Sequence, residues 1–329
     1  MTEEDRRTMG KLMESNDVLR LFGNEVFKIN SETAECVNSI WQLSDMPNLV
    51  IDGEGDNYIG YEHIGDAYSG SSRHIIKPRD AETSKLVAEY VKDGILLDIG
   101  CGDGVYTVPC AKLGMKIIAG DISNKMLSIL KEKAEINNVS LDKVVLGRMN
   151  ALDIPIKDES VDCVIANSML HLISNPEKVV DEIRRVLKKG GAFLCFDDAP
   201  GKNTHNNTDY SDTTGELYCR YWEYLQKNGI NEKKYRWSFD RNGYCETKFS
   251  KKEDRTIRWN VEYEEKVEDY FLPRLTARGF SAQTTVPEKE HKEALQYAFE
   301  AADKRFGKGW EKRSARYIIG DILVTVFIK

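Results

Sequence analysis

The stretch from Gly94 to Asp121, GILLDIGCGDGVYTVPCAKLGMKIIAGD, constrains the fold more than any other. Ile95–Ile99 is an apolar run holding one acid, Asp98, and Gly100, Gly102 and Gly104 follow at alternate positions. A helical segment from about Val105 to Leu113 stops at Gly114, and a second apolar run, Met115–Ala119, ends in Gly120-Asp121. This order predicts a strand, a glycine loop, a helix and a second parallel strand. A loop that leaves a parallel strand for a helix must turn tightly, and glycine reaches the required backbone angles. Without side chains in the way, a ligand can lie against the main chain. An acid closing the second strand, about twenty residues on, suits the two hydroxyls of a ribose.

Composition narrows the classes. The net charge is −7 with an isoelectric point near 5.5, which argues against a protein that coats nucleic acid through bulk charge. No apolar run approaches the roughly 18–20 residues of a membrane span. The start, MTEEDRRTMGK, lacks the apolar core of a signal peptide. Seven scattered cysteines form no Cys-x-x-Cys pair, so no metal is expected, and a reduced cytoplasm is the simplest setting.

The loop Gly100-Cys101-Gly102-Asp103-Gly104, preceded by Asp98, resembles the G-x-G-x-G motif of the class I S-adenosylmethionine-dependent methyltransferases. A nicotinamide-binding protein would show G-x-G-x-x-G, and the shifted position here is Val105. The resemblance is close over residues 81–200 and holds over 257–329 by order of elements only. It implies a doubly wound, mostly parallel seven-stranded Rossmann-like α/β sheet whose last strand is antiparallel beside the fifth. It implies S-adenosyl-L-methionine as cofactor. Asp98, Gly100, Cys101, Gly102 and Gly104 would hold the methionine end, Asp121 the ribose, and Asn150-Ala151 the adenine, with Ile122 also in the cofactor-binding set. Asn150 stands where the family usually carries an acid. Asn167, at the carboxyl end of the strand Val161–Ala166, and His171 would lie nearest the transferred methyl.

Four parts are expected along the chain. Residues 1–80 are read as a helical cap followed by a loop over the cofactor. The cap follows apolar faces at Leu19–Ile29 and Val37–Leu43, and serves as packing or as a lid. The segment 52–80 is rich in Gly, Ser, Asp and aromatic residues. Within it Arg73 either pairs with the methionine carboxylate through its guanidinium fork or is solvated. Residues 81–200 form the core, with Ser123 capping a helix in which Met126 fills the core. His171 is either a base with a near-neutral pKa or a packed residue. Asn175-Pro176 opens a helix that Lys188-Lys189-Gly190-Gly191 ends.

Residues 201–256 exceed the needs of that fold and are read as an inserted substrate lid. From Lys233 to Arg258 there are nine Lys/Arg and four Asp/Glu, 9 − 4 = +5. This is either a wall for an anionic or aromatic substrate, nucleic acid included, or a β-meander with a solvated face. Residues 257–329 complete the sheet. They are expected to give a helix over 260–279 bent at Pro273, a strand at Phe280–Val286, a charged helix over Glu288–Arg316 and a final strand at Asp321–Lys329. The expected activity is methyl transfer to a small molecule in an aromatic-flanked pocket. Cys219 and Cys245 leave room for a soft acceptor such as arsenic. The competing readings are an RNA methyltransferase, a non-catalytic S-adenosylmethionine-binding protein and a nicotinamide oxidoreductase.

Overall fold

A computed structural model of the protein describes residues 34–37, 40–43, 65, 69, 76, 78–173, 175–198, 213–231, 239–258, 261–283, 286–319 and 321–329. In chain order the first elements are strands β1 (Ala34–Val37) and β2 (Ile40–Leu43), an antiparallel pair where a helical cap is expected. The other cap helices expected before residue 34 lie outside the described residues. Helix α1 (Pro78–Val91), strand β3 (Ile95–Ile99), helix α2 (Thr107–Lys112) and strand β4 (Lys116–Asp121) reproduce the strand–loop–helix–strand unit. Helix α3 (Asn124–Ile136), β5 (Val144–Arg148), β6 (Val161–Ile165), α4 (Pro176–Val186) and β7 (Leu187–Asp198) follow.

These elements form where local chemistry favours them. All five residues of β3 are buried, as a central parallel strand covered on both faces requires. Ser123 caps α3 by accepting from the Met126 amide at 3.2 Å. At α4, Asn175 accepts from the Lys178 amide at 3.1 Å, and Pro176 takes the first position, where it forfeits no helical hydrogen bond. Val179, Val180, Ile183 and Val186 give α4 one buried face. The Lys-Lys-Gly-Gly stretch does not end this helix by a glycine cap. The chain turns extended at Leu187, and residues 188–191 already belong to β7.

The sheet order is β1-β2-β5-β4-β3-β6-β7, continued by β11 (Ile322–Ile328) and β8 (Lys251–Ile257). Seven strands, the number expected, run from β5 to β8, with 251–257 in the sheet instead of the expected 280–286, and the 34–43 hairpin extends them to nine. Within those seven only β11 is antiparallel to the rest, inserted beside β7. Leu97 and Ile99 point into a core shared with α4, whereas Leu96 points into one shared with α1, α2 and α3. The strand order reverses at β3, with β4 on one side and β6 on the other. Open α/β sheets bind ligands at such a reversal, outside the carboxyl ends of the strands.

The remaining elements build a third apolar cluster. Helix α5 (Thr213–Lys227) packs against helix α8 (Glu288–Phe306), with α7 (Phe271–Thr276) and the antiparallel pair β9 (Val261–Lys266) and β10 (Ser314–Ile319) around them. Helix α6 (Arg241–Lys248) instead packs on α4. The expected lid 201–256 is thus divided: α5 joins the third cluster, while β8 is an edge strand of the main sheet. Residues 261–266 are strand rather than helix, because Val-Glu-Tyr-Glu alternates with period two and finds a partner in β10. The expected strand at 280–286 contains a short 3₁₀ turn at Ser281–Gln283. Pro273 falls in the first turn of a short helix, where it causes no bend.

Register places this third cluster. Asp98 is level with Ile165, and Ile165 with Leu194. Asp198, Ile322 and Ile257 are level with one another, four residues further toward the carboxyl edge. The chain therefore leaves the sheet for this cluster after β7 and after β8, and re-enters it at β11, on the ligand side.

Candidate functional site

A cleft opens where β3, β4 and β6 end. It holds about 980 Å³ of space with its open mouth included. Its wall combines the glycine loop, Asp121-Ile122, three methionines, and the Asn167–Ile173 turn after β6.

The loop is held from below. The Gly100 and Cys101 amides donate to the Gly120 carbonyl at 2.7 and 3.0 Å, and the Gly104 amide donates to the Cys101 carbonyl at 3.0 Å. Gly100, Gly102 and Gly104 all lie at positive φ, +70°, +54° and +77°. Two of the three are also packed tight. A Cβ at Gly100 would meet Met169 Cγ at 2.8 Å, and one at Gly104 would meet Leu130 Cγ at 2.6 Å. At Gly102 the nearest atom would be Met126 Cε at 3.5 Å, so its backbone faces open space.

Asp121 ties the loop to the second strand. One carboxylate oxygen accepts from the Gly102 amide and the other from the Ser123 amide, each at 2.9 Å. Asp98 is buried and accepts from the Thr107 hydroxyl at 2.6 Å. Burial pushes its pKa up to about 7, and the Thr107 hydrogen bond opposes that rise. Burial, reinforced by Asp121, Asp98 and Asp103, also drives the Cys101 thiol well above its usual value, so this cysteine is a poor nucleophile.

The structure brings Asp98, Gly100, Cys101, Gly102, Asp121, Ile122, Ala151 and Asn167 together on the cleft wall. Gly104 lies behind it, packed on α3. Asn150 is buried and turned inward, its side-chain oxygen accepting from the Leu152 amide at 2.9 Å; only its neighbour Ala151 reaches the cleft. The loop after it is strapped to α4. Arg185 donates to the Ile154 and Ile156 carbonyls at 2.7 Å each, and Glu182 accepts from the Ile154 amide at 2.9 Å. Arg73 lies outside the described residues. Gly65, from the same segment, is buried with Lys125 and Met126 beside it.

His171 sits in the 3₁₀ turn Leu170–Leu172, where Met169 and Leu172, three residues apart, share the face toward the cleft. The histidine is off that face. Burial lowers its pKa to about 4, so it is neutral at physiological pH and a weak base.

Other wall residues carry weaker signals in the sequence. Ser168 holds φ +53°, a strained angle for a side chain, and its hydroxyl accepts from Asn167 Nδ2 at 3.0 Å. Met126 does fill the core, but it is also cleft wall, with Met149 and Met169. Tyr106 lines the cleft and stacks on Phe196 at 4.7 Å. Asp103 lines it too, and its place inside the glycine motif was the available signal. Among the described residues, no three His, Cys, Asp or Glu side chains are placed to share a metal ion. Nor is any helix among them long and apolar enough to cross a membrane.

Residues 97–195 match the family model described as a methyltransferase domain. An uncharacterized chloroplastic methyltransferase of Arabidopsis thaliana is 32% identical over 124 residues, 36% of this chain and 35% of that one. The ribosomal protein L11 methyltransferase of Dictyoglomus thermophilum is 33% identical over 127 residues, 38% of each chain. The demethylmenaquinone methyltransferase of Lactiplantibacillus plantarum is 33% identical over 141 residues, 42% of this chain and 57% of that one. The chain thus spans between about a third and just over half of the length of these relatives. Residues 97–195 are thus a methyltransferase domain, and the glycine loop and strand order around them are those of the class I S-adenosylmethionine-dependent methyltransferases.

Proposed function

We propose that this chain is an enzyme that transfers the methyl group of S-adenosyl-L-methionine to a small-molecule acceptor. The observation that carries the reading is the cleft at the strand ends. It joins an open glycine backbone at Gly102 to three acids, Asp98, Asp103 and Asp121, with no Lys, Arg or His among its described wall residues. Such a wall favours a cationic ligand of nucleoside size over a polyanion. When bound, the donor supplies a methyl carbon made electrophilic by its sulfonium, so that the acceptor–carbon bond forms as the carbon–sulfur bond breaks.

The chain's own residues then position and enclose. The Gly100–Gly104 loop and Asp98 hold the methionine end, Asp121 meets the ribose, and Ile122, Met126, Met149 and Ala151 flank the adenine. Asn167, Ser168, Met169, Leu172 and Ile173 border the transfer point. Holding the acceptor in line at about 3–3.5 Å supplies most of the acceleration. No base is required of His171 when the acceptor is an amine or an acidic hydroxyl.

Among the relatives, one is named for a ribosomal protein and another for demethylmenaquinone, so the acceptor is read from this cleft's own chemistry. The apolar wall at Met169, Leu172 and Ile173 supports a partly apolar small molecule. The basic stretch near the chain's middle gives RNA little to hold, because its described cations are paired internally. Arg241 pairs with Asp197, Lys248 with Asp181, Lys251 with Glu253, Lys252 with Glu246, Arg255 with Glu89 and Arg258 with Asp321.

Calorimetric titration of the full chain with S-adenosylhomocysteine tests the reading: heat with this ligand and none with NAD is expected. Asp121→Ala is expected to weaken binding about 10- to 100-fold, through the lost ribose contact and the released Gly102 amide. Unchanged affinity would mean that the ribose lies elsewhere.

A further inference from the structure

Met149 and Ala151 face the cleft from the irregular segment that joins β5 to β6. Such a segment has no ladder of its own, so its place depends on its anchors. One anchor is β4, where the Met149 amide donates to the Asp121 carbonyl at 2.9 Å. A tight turn follows. In it Asn150 accepts from the Leu152 amide through its side chain at 2.9 Å, and from the Asp153 amide through its carbonyl at 3.1 Å. The other anchor begins directly after this turn and belongs to α4.

That second anchor is built around one guanidinium. Arg185 donates from one terminal nitrogen to the Ile156 carbonyl and from the other to the Ile154 carbonyl, both at 2.7 Å. Ile154 and Ile156 are buried, and a buried carbonyl left without a donor is costly. Glu182 completes the clamp. It accepts from Arg185 Nε at 2.8 Å and Nη2 at 2.7 Å, and from the Ile154 amide at 2.9 Å. The planar fork lets one side chain span two carbonyls and a carboxylate, which the single charged point of a lysine does not. Arg185 itself is not part of the cleft wall.

We propose that Arg185 is the positioning residue for the wall that faces the donor's base: it touches no ligand, but it fixes where Met149 and Ala151 stand. This rests on the donor-site reading given above. The turn hangs between two anchors, so without the α4 anchor it pivots about its Asp121 end. The glycine loop and Asp121 are held from β4 and keep their places. The loss therefore falls on the base and spares the methionine and ribose contacts.

Two ligands that differ only at one edge of the base carry the test. They are S-adenosylhomocysteine and S-inosylhomocysteine, in which an oxo group replaces the amino group. Calorimetry is done on the full chain, at a temperature where wild type and variant are both folded. Wild type is expected to bind the adenine ligand more tightly. Arg185→Lys keeps the charge and loses the fork. It is expected to weaken S-adenosylhomocysteine about 10-fold, the worth of one hydrogen bond to the base, and S-inosylhomocysteine by about twofold or less. The preference for adenine therefore shrinks. A lower melting temperature with both affinities unchanged would make Arg185 a purely structural residue and overturn the proposal. Equal losses for both ligands would overturn it too, as would a wild-type protein indifferent to the base. A wild-type protein that bound neither ligand would instead remove the donor-site reading. Should Arg185→Lys fail to fold, Glu182→Gln keeps an oxygen for the Ile154 amide and removes the charge that seats the guanidinium. The same loss of preference is expected there, and an unchanged preference would overturn the proposal.

Discussion

A Gly104→Val protein is expected to lose about 2–5 kcal/mol of stability, whereas Gly102→Ala is expected to fold and lose its donor affinity. Both glycines occupy the left-handed region and belong to one motif, but they are glycine for different reasons. A Cβ at Gly104 would stand 2.6 Å from Leu130 Cγ and 2.9 Å from Val108 Cγ2, both inside the packed interface of loop, α2 and α3. Neither neighbour is the free end of a flexible chain, so the loop or α3 must shift. Overpacking of this kind typically costs about 1–3 kcal/mol, and the left-handed backbone adds about 1–2 kcal/mol. At Gly102 only the backbone penalty applies, because the added methyl group meets nothing closer than Met126 Cε at 3.5 Å. That methyl group would instead occupy space through which the ligand reaches the main chain. Thermal melts and titration with S-adenosylhomocysteine separate the two effects. A Gly104→Val protein as stable as wild type would show that the loop is not packed as described. Undiminished binding by Gly102→Ala would move the ligand off this loop.

The same contrast explains what was legible in the sequence. Elements 95–136 were readable because each signal is local: a continuous apolar run for a strand buried on both faces, glycine where φ is positive, and a serine cap ahead of α3. The strand at 251–257 was not, because its residues, Lys-Lys-Glu-Asp-Arg-Thr-Ile, carry no apolar face. It is held by a register with β11 that links residues about seventy positions apart, and its charges suit an exposed edge. Likewise β9 is a strand because of β10, some fifty residues on, and read alone its Glu-rich composition favours helix. In the site, the glycine loop, Asp98 and Asp121 follow from one motif. The methionine walls, the inward turn of Asn150 and the offset of His171 depend on how separate loops meet, which no local pattern encodes.

Asp98 gives the second large effect. Its carboxyl group titrates near 3.8 when free in the unfolded chain and near 7 in the folded protein, where desolvation opposes its charge. Below about pH 4 it is protonated in both states and does not penalise folding. As the pH rises, the unfolded chain ionises first and is favoured. The stability contributed by the buried neutral acid drains away until the folded form ionises too, near pH 7. A shift of about three pKa units corresponds to about 4 kcal/mol lost across that window. Asp98→Asn keeps an oxygen to accept from Thr107 but has no charge to bury. It is therefore expected to match wild type near pH 4 and to exceed it by up to about 4 kcal/mol at pH 8. Subtracting the two denaturant-unfolding profiles cancels every other titrating group. The gain should coincide with weaker donor binding, because the acid that costs stability in the free protein is the one that meets a cationic ligand. A difference profile that stays flat between pH 4 and 8 would mean that Asp98 titrates as an ordinary carboxyl group, and that burial at the foot of the glycine loop leaves its charge unopposed.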